Sequence, residues 1–88
     1  MKAHTKLYLS AMGYDETDWI PCENCGKRCV DVHHIEGRGK MGGEKNANFI
    51  ENLIGLCRQC HVEMGDKKQF KEHLKTIHNG NLERHRGL

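Results

Sequence analysis

Eighty-eight residues, 36% of them apolar and 6% aromatic, make one domain with a thin core. A chain this short buries only about 60 to 65% of the surface it exposes when unfolded, so a further staple is expected, and five cysteines offer one. A net charge of +2 is too small to establish a nucleic-acid partner. Residues 1–26 carry −2 and residues 27–88 carry +4, so the basic side coincides with most of the histidines. A zinc held by four thiolates is itself net negative and would offset that excess. Met1 to Ser10 mixes charged and polar groups with leucine, unlike a secretion signal, and no apolar run approaches the ~18 residues of a membrane span. The expectation is a soluble protein of a reducing cytosol, with no membrane partner.

His4 to Met12 reads as a helix with Leu7 and Ala11 as its apolar face and Gly13 as its stop. Tyr14 to Ile20 is acidic and aromatic, and Trp19 is expected to pack as a lid over the following site. Cys22-Glu23-Asn24-Cys25-Gly26 has the form of a zinc knuckle, two sulfurs on a tight turn with a glycine after the second. Cys29 lies outside the paired pattern and reads as a free thiol. Val30 to Ile35 is β-branched and apolar around His33 and His34, a short strand ending in two imidazoles that can bind metal or move a proton.

Between Gly37 and Gly43 four of seven residues are glycine. This is a surface loop whose Arg38, Lys40 and Lys45 are candidates for contact with a nucleic-acid backbone, although a merely solvated loop is an equal reading. Phe49 to Leu56 is the most apolar run and suits a second strand paired with Val30 to His33. Cys57 to Met64 suits a helix in which Cys57 and Cys60 share a face while His61, about 100° round, serves a separate site. Asp66 caps a further helix through Phe70, Leu74 and Ile77, closed by Asn79-Gly80 near residue 78, and the tail from Asn81 frays. His4, His73, His78 and His85 read as surface residues.

Cys22, Cys25, Cys57 and Cys60 are the ligand set of a tetrahedral structural Zn²⁺, although the 31 residues between the pairs exceed the usual short-ribbon spacing. Disulfides would need an oxidising compartment, and a rubredoxin-like iron site would leave His33, His34 and His61 without work. Those histidines, with Asn52 and the run Asn52-Leu53-Ile54-Gly55-Leu56-Cys57-Arg58-Gln59-Cys60-His61, resemble an HNH endonuclease over residues 22–65.

The resemblance implies an α+β fold: a small, zinc-stapled ββα-metal core with flanking helices at about 4–12 and 66–78, all in a single domain of residues 1–88. It implies DNA as partner and one catalytic divalent ion. His34 would then be the general base acting on water, Asn52 would fix the loop that carries it, and His33 and His61 would hold the ion. His33 stands where the family often has aspartate, and imidazole favours Mn²⁺, Ni²⁺ or Co²⁺ over Mg²⁺. The other readings are a silent zinc module that binds nucleic acid or a protein-interaction domain. On a regular strand His33 and His34 face opposite ways, so their convergence on one phosphate calls for a break between them.

Overall fold

The computed structural model describes residues 2–36 and 48–85; Arg38, Lys40 and Lys45 lie outside them. Helix α1, Ala3–Met12, ends on Gly13 at φ 76°. The amide of Tyr14 reaches back to the carbonyl of Leu9 at 2.8 Å, closing the helix as a left-handed glycine allows. The buried face is His4, Tyr8, Leu9 and Met12. Leu7 is only half-buried and Ala11 is exposed, because the stripe that meets the sheet runs i, i+4, i+8 from His4.

Strands β1, Asp31–His34, and β2, Leu53–Leu56, pair antiparallel, with His33 opposite Ile54 and His34 opposite Leu53. Ile50–Asn52 forms a 3₁₀ turn, so the strand expected from Phe49 starts four residues later. The period-two alternation divides the sheet. On one face Ile54 and Leu56 join Cys22, Ile35, Cys57, Cys60, Met64 and Leu74 in one core cluster. On the other, Leu53 joins Tyr8, Leu9, Met12 and Leu82, with Val32 packed alongside.

After β2 comes a single turn, α2, Arg58–Cys60, which widens at once into a π turn, His61–Gly65, where one regular helix was expected. Asp66 closes that π turn and caps no helix. A 3₁₀ turn over Lys68–Phe70 leads into α3, Lys71–His85, which runs through Asn79-Gly80 without stopping. Partners hold the extension: Leu82 is buried at 3% exposure and Asn81 donates to Glu23 at 3.0 Å.

The same site overturns the surface reading of His78, which is fully buried. The Glu23 carboxylate, 4% exposed, accepts from Tyr8 Oη at 2.6 Å, Gly55 N at 3.2 Å and His78 Nδ1 at 2.8 Å. The other nitrogen of His78 donates to the carbonyl of Ile50. Both ring nitrogens face acceptors, so the ring is tethered on one side to the buried carboxylate and on the other to the backbone. Gly55 leaves the room this needs, since a Cβ there would stand 2.8 Å from Tyr8 Oη. Trp19 is 62% exposed, too open to be the expected lid.

Candidate functional site

Two chains of donors are built on this frame. In the first, the Sγ atoms of Cys22, Cys25, Cys57 and Cys60 all lie within 4.8 Å of one another, with Cys25 and Cys57 at 3.6 Å. A tetrahedron of Zn–S bonds sets sulfurs about 3.8 Å apart, so the four cysteines are positioned to bind a metal ion in the manner of structural zinc. Four sulfurs this close cannot all be charged unless a cation shares the site. The amide of Cys60 stabilises the Cys57 thiolate and brings its pKa down to about 7, whereas burial pushes Cys60 up to about 12. Asn24 Nδ2 donates to Cys60 Sγ at 3.3 Å, and Asn24 Oδ1 accepts from His73 at 3.2 Å. Cys29 stands apart, its thiol donating to the Asp31 carbonyl at 3.4 Å.

The second set lines a cleft of about 610 Å³ between α1, β1 and the π turn, which includes His4, Asp31, His33, His34 and His61. His33 and Asp31 share a strand face, and the π turn brings His61 to it. The His33 and His61 rings are 4.9 Å apart, and His61 Nδ1 meets Asp31 Oδ2 at 3.0 Å. Burial, then the neighbouring His61, push the His33 imidazole below its ordinary pKa, keeping the neutral, lone-pair form. Its Nε2 is buried with no hydrogen-bond partner among the described residues. Gly65 makes room for His61, because a Cβ there would stand 2.4 Å from His61 Cδ2.

His34 projects from the opposite strand face toward α1. Its Nε2 is 2.7 Å from Asn48 Oδ1, an oxygen that only accepts, so whenever the ring is neutral its proton sits at Nε2 and its lone pair at Nδ1. No break separates His33 from His34, since β1 runs through both; they reach one cleft from the two sides of the strand. The bend comes afterwards, at Ile35 and Glu36. There Asn52, 3% exposed, accepts from Glu36 N at 2.8 Å and donates to Glu36 O at 3.2 Å.

Four contributors were not singled out from sequence: Asp31, His4, Asn48 and Gly65. Asp31 alone had a legible signal, two residues before His33 and thus on its face of the strand.

A model of the HNH endonuclease family matches residues 22–67. The chain is also 30% identical over 67 residues to the type IV methyl-directed restriction enzyme EcoKMcrA of Escherichia coli strain K12, a likeness covering 65% of this chain and 23% of that enzyme. The chain thus spans about a quarter of that relative's length. No solved structure matches it. The family match takes in more than half of the chain, with both cysteine pairs, both strands and the π turn inside it, and by it the chain belongs to the HNH endonucleases.

Proposed function

We propose that this chain is a metal-dependent endonuclease that hydrolyses phosphodiester bonds in DNA. Family membership and the restriction-enzyme relative support the reaction class. The observation that carries the residue roles is the meeting of His33 and His61, rings 4.9 Å apart, in the cleft that His34 also lines.

His33 and His61 would hold one divalent ion. The donor chemistry fits: burial keeps His33 toward its neutral form, with a buried Nε2 that has no partner among the described residues, and Asp31 at His61 Nδ1 leaves Nε2 of that ring as the ligand nitrogen. A carboxylate behind a ligating imidazole fixes its tautomer and raises its basicity. When bound, a divalent ion there supplies Lewis-acid neutralisation of the phosphate and of the 3′ leaving oxygen, with 5′ phosphate as product. His34 takes the proton of the attacking water at Nδ1, while Asn48 holds the opposite nitrogen and orients the ring. Asn52 fixes the bend directly after His34. Cys22, Cys25, Cys57 and Cys60 hold a structural zinc and take no part in the chemical step.

The test is nicking of supercoiled plasmid by zinc-loaded protein with Mn²⁺, Ni²⁺, Co²⁺ or Mg²⁺, against a chelator control. Wild type should nick with added ion. His34→Ala should lose roughly 10² to 10⁴ in rate with its fold and bound metal kept. Absence of nicking with every ion, or an unimpaired His34→Ala, overturns the proposal.

A further inference from the structure

We infer that His4, which lies outside the segment matched by the family, is a positioning residue of this centre: its ring sets the plane of the His34 imidazole. The inference rests on the nuclease reading of His34 for its functional meaning, but its structural content stands independently.

His4 is 5% exposed and His34 8%, and their ring centroids are 4.6 Å apart at an interplanar angle of 52°. Both line the same cleft. Histidine is ordinarily at least partly exposed, so two histidines in ring contact at this level of burial call for an account.

His34 needs two constraints to hold one ring orientation. The hydrogen bond from Nε2 to Asn48 at 2.7 Å fixes one direction in the ring. Rotation about that direction remains, and a tilted ring packed against the imidazole limits it. His4 is a rigid neighbour, because its place on α1 is fixed from behind. His4, Tyr8 and Met12 form one stripe at i, i+4 and i+8, and Tyr8 is tied by its hydroxyl to Glu23 at 2.6 Å. The helix and the hydrogen-bonded tyrosine together make a wall, and His4 is the part of the wall that touches His34. A general base must lie within hydrogen-bond reach of the proton it takes, and a displacement near 1 Å can cost on the order of 10²-fold.

The prediction separates geometry from simple folding. In zinc-loaded protein with the best ion from the plasmid series, His4→Ala should lower kcat on the order of tenfold to a hundredfold and leave KM for DNA unchanged. His4→Phe, which restores a flat ring, should recover most of kcat. If His4→Ala does not fold, His4→Gln, similar in length but without a ring, should show the same loss. The companion measurement is NMR of the His34 ring carbons and nitrogens: added side-chain motion in the Ala or Gln variant, wild-type order in Phe. The proposal is overturned if the folded variant lacking a ring keeps wild-type kcat, if its His34 ring stays as ordered as in wild type, or if Phe restores the order without restoring kcat. Should wild type cut no DNA with any ion, the nuclease reading falls, and the NMR comparison alone decides whether His4 holds His34.

Discussion

Replacing Glu23 by glutamine removes one charge from the most buried ion pair described and should cost several kcal/mol. The wild-type carboxylate accepts from Tyr8 Oη, Gly55 N, His78 Nδ1 and Asn81 Nδ2, at 2.6, 3.2, 2.8 and 3.0 Å. Glutamine keeps one accepting oxygen and points an amide N–H₂ at groups that are themselves donors. His78, fully buried, loses its carboxylate partner. Breaking a buried ion pair on one side costs about 3 to 5 kcal/mol, out of a total stability of roughly 5 to 15 kcal/mol. For a domain of this length each kcal/mol is worth about 4 to 8 °C, so the melting temperature should fall by tens of degrees. Urea unfolding of both zinc-loaded proteins at pH 7 measures the difference, and a loss below about 1 kcal/mol would refute the assignment of a charged, fully paired hub. The pH dependence has a definite sign. Burial acts to raise the Glu23 pKa, but the hydrogen bonds and charge of His78, with help from Tyr8 and Asn81, outweigh it and hold the group below its ordinary 4.5. A depressed carboxyl stabilises the fold above the unfolded-state value, and that stabilisation is lost as pH falls through the folded one. The gap between wild type and Glu23→Gln should therefore be present at neutral pH and close below about pH 4.5, since protonated Glu23 resembles the amide. Zinc loss in acid unfolds both proteins, so the gap is followed downward from pH 7 only while zinc content stays stoichiometric.

Cys57→Ser should abolish stoichiometric zinc and the cooperative melting transition, because a structural zinc supplies on the order of 10 kcal/mol of folding free energy; metal content and calorimetry check this. Gly65→Ala puts a methyl 2.4 Å from His61 Cδ2 and must displace that ring, so ion-dependent nicking should fall by about 10²-fold while zinc content stays unchanged. His33→Asp supplies a hard oxygen ligand and a negative charge, and should raise Mg²⁺-supported nicking relative to Ni²⁺. An unchanged ratio across the ion series would remove His33 from the ion.

Much of the frame was legible in the chain because it is written in short-range patterns. Two CxxC pairs bring their sulfurs together through tight local turns, and Gly13 ends α1 where a left-handed residue is needed. The apolar run before Cys57 can pair only with the β-branched run around His33. What escaped the sequence depends on partners far along the chain. His4 and His78 look like isolated polar residues until they are placed on their helices, where His4-Tyr8-Met12 and Leu74-His78-Leu82 each make a buried stripe. In both stripes a histidine stands where an apolar residue is expected, and spacing alone does not reveal which acceptor it will meet. The same holds for Asn79-Gly80, a stop signal overridden because Asn81 and Leu82 find partners on the knuckle and on α1. The π turn had no signal, since the spacing of Cys57, Cys60 and His61 reads equally as a regular α-helix.

The Glu23 hub also bears on how portable this HNH segment is. Glu23 and Gly55 lie inside the matched segment 22–67, whereas Tyr8, His78 and Asn81 lie outside it. Transplanted without those three, the segment would carry a buried anion with only a backbone amide and its own knuckle for company. A host chain must therefore either bring a cation and donors of its own or exchange Glu23 for an apolar residue in the same step. The last of the flanking helices has to leave the ribosome before the zinc knuckle has its full set of partners.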